Sequence, residues 1–273
     1  MSTLDLLDDW PVPTAAAAVV DTSGVIATHG PIDHKFALAS VTKPLAAAAV
    51  LVAVEEEALS LDDPADETLL PGATLRHLLA HASGVAPEGR LRLFAPAVRR
   101  VYSNVGIELA AALLEHATDI DFPTYLTDAV LRPLQMTSTA LPGSPARDGV
   151  STVADLARFV HELLTPTGLL SAPMLTDLRT VQYAGLRGVL PGYGGQNPND
   201  WGLGFEIRNG KSPHWTGAHN SADTYGHFGQ SGTMMWIDPA AQLGLVALAD
   251  RDFDDWARRG WPALSDAVLA ARS

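Results

Sequence analysis

From Pro44 to Val54 the chain runs eleven residues without a polar side chain, and Glu55-Glu56-Glu57 ends the run. Alanine, leucine and valine predominate, so the stretch reads as a helix over about Val41–Leu59. A helix that is apolar on nearly every side is a buried one. The run is far short of the ~20 apolar residues that span a bilayer, so its surroundings must be protein. Whatever side chain stands at the mouth of such an element is held rigidly.

What stands there is Ser40-Val41-Thr42-Lys43. The chain has only three lysines, and the other two, Lys35 and Lys211, fall in loops or strand edges. Positions i and i+3 share a helix face with Cβ atoms roughly 5–6 Å apart, close enough for a hydroxyl and an amine to act as nucleophile and base. The positive end of the helix dipole disfavours an ammonium and favours an oxyanion. Both effects push Lys43 toward the neutral amine that a general base requires. Ser-x-x-Lys also arises by chance, and Ser is a favoured N-cap, so the pair needs context.

The order of elements supplies part of it. Thr14–Val20 and Val25–Thr28 flank Asp21-Thr22-Ser23-Gly24, a hairpin pattern. Helical patterns follow over Thr74–Ala82, Val105–Ala117, Phe122–Leu131 and Thr152–Leu164, with Ser151 or Thr152 as the N-cap of the last. Residues 185–204, rich in Gly, Pro and Asn, form a long irregular segment of the kind that shapes sites. Strand patterns then cover Gly202–Arg208, Thr224–Phe228, Thr233–Asp238 and Leu243–Asp250, and Asp254–Ala271 closes as an amphipathic helix. Strands, helices, strands, helix, with no repeat or linker between them, place one sheet built from both ends of the chain around a helical insertion.

Two further motifs lie in this frame. Tyr102-Ser103-Asn104 sets a phenol and an amide at a loop-to-helix junction. The phenol can relay the serine proton to a leaving group, and Asn104 can bond a substrate carbonyl. Ser103 or Asn104 would equally serve as a helix cap. His227-Phe228-Gly229 sits on a strand, where Gly229 permits close backbone approach. The amide of Gln230 can pair with that of Ser40 as an oxyanion hole.

Ser-x-x-Lys, then Tyr-x-Asn, then His-x-Gly resembles the serine β-lactamase and penicillin-binding-protein superfamily, in its class C-like branch of esterases, D-amino-acid peptidases and carboxypeptidases. Leu59–Pro64, Leu75–Gly84, Pro133–Met136, Ser151–Leu156 and Trp201–Gly204 also resemble family segments, so the likeness covers about nine-tenths of the chain. The resemblance implies an α+β fold: an antiparallel sheet from both chain ends, flanked by helices, with a helical lobe inserted. One catalytic domain is expected, with a sheet lobe of about 1–39 and 202–273 and a helical lobe of about 40–201. It also implies an acyl-enzyme on Ser40, with Lys43 and Tyr102 sharing the proton, and no metal or organic cofactor. Asn104, His227, Gly229 and Gln230 become substrate-binding candidates.

The pattern departs at Phe228. Penicillin-recognising members usually place Thr or Ser there to help bind a carboxylate, and phenylalanine offers no hydrogen bond. Strand alternation turns His227 and Gly229 one way and Phe228 the other. A small ester or amide is therefore the expected substrate, the ester favoured because its leaving group needs less protonation. β-Lactam or D-alanyl-D-alanine hydrolysis is one alternative, and a catalytically silent binding protein is another.

Composition limits the remainder. A formal net charge of −13 and no basic patch argue against nucleic acid or anionic membrane as partners. The absence of cysteine removes disulfides and thiolate chemistry. Asp5, Asp8 and Asp9 precede the first basic residue, Lys35, which is unlike a secretory leader and predicts a cytoplasmic protein. His77 and His81 have helical zinc-site spacing without a third ligand, and capping or core roles fit them better. Trp201, Trp215, Trp236, Tyr193 and Tyr225 are candidates for an apolar acyl pocket, with core packing the commoner role for each.

Overall fold

The structure is a computed structural model that describes residues 3–271. After a 3₁₀ turn at Thr3–Asp9, strands β1 (Ala15–Asp21) and β2 (Gly24–His29) form the expected hairpin. A short β3 (Phe36–Ala37) leads into a single 3₁₀ turn, Ala39–Val41, and then α1 (Thr42–Glu55). The helical part continues with α2 (Leu75–Leu79), α3 (Asn104–Thr118) and α4 (Phe122–Leu126), which runs on as a π turn through Leu131. Next come β4 (Val150–Ser151), α5 (Val153–Leu164) and α6 (Ala172–Arg179). The chain ends with β5 (Gly188–Leu190), β6 (Gly194–Gln196), β7 (Glu206–Ile207), β8 (Tyr225–Gly229), β9 (Thr233–Asp238), β10 (Leu243–Ala249) and α7 (Asp255–Ala270).

The main sheet has six antiparallel strands in the order β2-β1-β10-β9-β8-β7. Its central seam joins the two ends of the chain, with Ala15 opposite Ala249 and Asp21 opposite Leu243. Both faces are covered at the central strands β1, β9 and β10, which explains why these read as nearly unbroken apolar runs. Ala16, Ala18 and Val20 of β1 turn to the core shared with α1, α3 and α5. Ala17 and Val19 turn to a second core with α7 and six buried tryptophans, Trp10, Trp201, Trp215, Trp236, Trp256 and Trp261. The apolar helix α1 lies inside the first core, and from Thr42 to Leu51 every residue is buried.

Several boundaries differ from the sequence pattern. Only Glu206–Ile207 of Gly202–Arg208 pairs as strand, because the amides of Gly202, Leu203 and Gly204 donate instead to the carbonyls of Phe205, Leu178 and Leu79. Helix α2 stops at Leu79, and His81 takes a left-handed φ of 54°. Helix α6 was not foreseen, although Ser171 caps it by accepting from the Met174 amide and Pro173 sits in its first turn. The β5–β6 hairpin lies inside the segment expected to be irregular. Thr152, not Ser151, is the N-cap of α5. Among the described residues no helix is long and apolar enough to cross a membrane.

Candidate active site

The site forms where the start of α1, the start of α3 and the end of β8 meet. Ser40 lies in the 3₁₀ turn that feeds α1, after Ala39, whose φ of 45° is in the left-handed region. The turn between β8 and β9 clamps this approach: Thr233 Oγ1 donates to Leu38 O at 2.7 Å and Ser231 Oγ donates to Ala37 O at 2.6 Å. Gly229 makes the clamp possible. A Cβ there would stand 2.3 Å from Leu38 O and 2.4 Å from Thr233 Oγ1, so only glycine lets β8 lie against the serine loop. Gln230 thereby reaches the same cavity wall as Ser40.

Lys43 is wholly buried. Its Nζ lies 3.1 Å from Ser40 Oγ, 2.6 Å from Asn104 Oδ1 and 2.9 Å from Ala146 O. Burial, reinforced by the charge of Arg147, brings its pKa down from 10.5 to about 7, while Glu88 and Glu108 pull the other way. The largest cause is loss of water, where the sequence pointed to the helix terminus. A neutral amine has two hydrogens, and Asn104 Oδ1 and Ala146 O accept both. The remaining lone pair is left for the Ser40 hydroxyl.

Tyr102 donates to Ser40 Oγ at 2.7 Å, and its ring centre lies 4.7 Å from Lys43 Nζ. Burial raises its pKa above the ordinary phenol value, so Tyr102 carries its proton at neutral pH. Ser103 caps α3 by accepting from the Gly106 amide at 3.0 Å, and the cap orients the residues on either side of it. The capping reading and the site reading of this motif therefore hold together. Asn104, expected to bind a substrate carbonyl, has both ends of its amide engaged. Its Oδ1 faces Lys43, and its Nδ2 donates to Glu88 at 2.6 Å. Glu88 in turn pairs with Arg147 at 3.0 Å, on the exposed rim.

His227 is buried against Tyr102 and Trp201, with ring centres 5.8 and 5.4 Å away. Its Nδ1 lies 2.7 Å from Phe228 O, and because a carbonyl only accepts, Nδ1 holds the hydrogen and Nε2 is left as an acceptor. Burial, then the charge of Lys43, lowers its pKa to about 3, so this strand position presents a neutral imidazole. Phe228 packs into the other core against Phe253, Trp215 and Trp261 and also reaches the cavity edge. Of the aromatic pocket candidates only Trp201 lines the cavity, and Trp215, Trp236 and Tyr225 are core residues.

The cavity has a volume of about 160 Å³, and Leu190, Pro191, Trp201 and Phe228 give it apolar walls. Its one acidic wall residue, Glu206, is saturated: His214 and Trp215 each lie within 2.9 Å of Oε2, and Lys211 binds Oε1. Burial alone would raise Glu206, but His214 and Lys211 outweigh it and hold the carboxylate well below its usual range. No Lys or Arg lines the cavity. Among the described residues no three His, Asp or Glu side chains converge as a metal site would.

Sequence reasoning missed Glu88, Arg147, Leu190 and Glu206. His81 is buried beside Tyr102 and accepts from the Ser103 amide, while His77 completes the capping box at Thr74. Both histidines thus take the capping and core roles expected of them. The other residues lie in loops or short strands whose placement depends on distant parts of the chain.

Comparison with known proteins bears on the family and the fold. The family model described as Beta-lactamase matches residues 6–269. A solved structure described as a β-lactamase from Mycobacterium bovis is 56% identical, with 99% of each chain covered and a TM-score of 0.97. EstCE1, described as a hydrolase with promiscuous acyltransferase activity, is 18% identical over 98% of this chain and 96% of its own, with a TM-score of 0.82, a likeness of fold. Penicillin-binding protein 4* of Bacillus subtilis is 27% identical over 134 residues, covering 38% of this chain and 30% of that protein's length.

Proposed function

This chain belongs to the Beta-lactamase family, and from that premise we propose that it hydrolyses small neutral esters through an acyl-enzyme on Ser40. The observation that carries the reading is Ser40 Oγ held between Lys43 Nζ and Tyr102 Oη beside an apolar cavity without a cation. Ser40 Oγ attacks the ester carbonyl as its proton passes to Lys43. The amides of Ser40 and Gln230 receive the oxyanion. Collapse of the tetrahedral adduct breaks the bond to the alcohol, which leaves with a proton delivered through Tyr102. Water then attacks the acyl group, Lys43 takes the water's proton, and Ser40 regains its own as the acid departs. Asn104 acts here by aiming the Lys43 lone pair.

A neutral ester fits better than a β-lactam or another carboxylate-bearing substrate because Phe228 supplies no hydroxyl and the cavity lining offers no cation to a carboxylate, and better than an amide because its leaving group needs less protonation. A second reading, β-lactam hydrolysis, is supported by the 56% identity to the protein described as a β-lactamase. Both are tested by comparing p-nitrophenyl acetate and butyrate with a chromogenic cephalosporin on the wild type and Ser40→Ala. Ester turnover that disappears in Ser40→Ala supports the first reading. Faster cephalosporin turnover supports the second. Equal ester rates for the two proteins, with no fluorophosphonate labelling of Ser40, would leave a binding role.

A further inference from the structure

A second, larger depression adjoins the catalytic cavity. It has a volume of about 400 Å³ and shares two wall residues with that cavity, Tyr102 and Pro191. Its remaining apolar walls are Pro87, Leu93 and Phe94 on one side and Val189 on the other, with Val101 in its lining. Leu93 and Val189 are 46% and 51% exposed, and they face one another across a single depression. An exposed apolar surface joined to a reaction centre marks a ligand site more often than a chance exposure does.

The groove is a built feature. Its two walls come from segments far apart in sequence, the 84–99 loop and the β5–β6 hairpin, and a shared base locks them together. Gly188 bridges to Arg100 in parallel, and a Cβ at 188 would fall 2.7 Å from both Arg100 Cβ and Arg100 O. Arg100 is buried, and its guanidinium donates to the carbonyls of Asn199, Ala80 and Gln182 at 3.0, 2.6 and 2.7 Å. Those bonds fasten the floor to the end of α2 and to the segment between α6 and β7. Along β5, Leu190 is buried and lines the catalytic cavity, whereas its neighbour Val189 is exposed and lines the groove. Strand alternation thus gives one hairpin a wall in each compartment. Arg99 also lines the groove, its guanidinium 5.8 Å from the centre of the Phe94 ring.

We propose that this groove is a subsite for an extended apolar arm of the substrate, aliphatic or aryl, that passes Tyr102 and Pro191 on leaving the carbonyl at Ser40. The inference rests on the ester reading of the catalytic cavity and names the substrate class: esters with one small and one long or bulky apolar part. Either the acyl chain or the alcohol can supply that arm, since the chemistry the groove recognises is the same.

Two ester series separate the sources: p-nitrophenyl esters from acetate to octanoate, and acetates of alcohols from methanol to octanol followed by proton release. One series should show kcat/KM rising by roughly tenfold or more with chain length, as buried methylenes accumulate. Val189→Asp and Leu93→Asp, both at exposed positions, should flatten that slope, and Val189→Ile should keep it. The steeper series identifies the arm. A slope unchanged by both aspartates, no slope in either series, or a faster rate when the chain ends in a carboxylate overturns the proposal.

Ester turnover that depends on Ser40 reports separately on the catalytic reading. Independently of turnover, the Ser40→Ala protein should bind p-nitrophenyl octyl ether, which cannot be hydrolysed, in calorimetry. Adding Val189→Asp should weaken that binding roughly tenfold. Equal affinities would overturn the groove even if no ester is cleaved.

Discussion

Two of the three lysines are buried, and their surroundings differ in kind. Lys211 meets the carboxylate of Glu206 and the carbonyls of Asp200 and Ile207, in a cluster that also holds His214 and Trp215. Lys43 meets a hydroxyl, an amide oxygen and a carbonyl, with no carboxylate in contact. The first set keeps its carboxylate ionised and ties β7 to the turn after it. The second leaves an amine near neutrality with its lone pair on a serine. Burial alone does not make a base; burial without a counter-ion does.

The difference can be broken by mutation. Lys43→Met should lower ester kcat by at least about 10³-fold, because the Ser40 proton loses its acceptor. Its thermal unfolding should move far less than its activity does, and a comparable loss of fold would remove the distinction between the two lysines. Lys211→Met should do the reverse. It strands the Glu206 carboxylate and should cost about 3–5 kcal/mol in urea unfolding. Adding Glu206→Gln should return part of that stability, since the stranded charge is then gone.

Strand β8 links the two regions, pairing with β7 through Glu206 and touching the serine loop through Gly229. Gly229→Ala should push β8 from Leu38 and spoil the alignment of the Gln230 and Ser40 amides. A loss of about 10²-fold in kcat is expected, the size seen when one oxyanion donor is removed. Wild-type rates in that variant would show that the close approach is dispensable.

The smallest effect concerns pH. The Lys43 pKa is lowered to about 7, so kcat/KM should rise with pH through that point and fall as the amine protonates below it. Between about 7 and 10.5 the unfolded chain binds a proton that the folded chain has released, so the Lys43 contribution to stability grows with pH across this window. Glu88→Gln should shift the kinetic midpoint downward and Arg147→Met upward, each by a few tenths of a unit, because both groups are about half exposed and screened. Added salt should shrink both shifts, and Arg147→Lys should restore the wild-type midpoint. Midpoints unchanged in both variants would confine control of Lys43 to burial.

Much of the fold was legible because it is written in local patterns. The hairpin at β1–β2, strand β9, and helices α1, α3, α5 and α7 all follow from periodicity and caps, within a few residues at their ends. Ser40, Lys43, Tyr102 and His227 were legible as motifs, and the structure brings them together. What escaped was non-local. Glu88 reaches Asn104 from a loop, and Lys211, expected at a loop or strand edge, is buried by a carboxylate five residues away and by carbonyls of the folded chain. No periodicity marks such contacts.

The order of elements, the buried helix and the residues at its mouth were therefore decided by the sequence alone, through short-range propensities and hydrophobic spacing. Tertiary structure decided which buried lysine is left without a carboxylate, which end of Asn104 faces Lys43, and where a second apolar groove opens beside Tyr102. Each of these depends on desolvation and on partners brought from distant segments, quantities that exist only once the chain has closed around them.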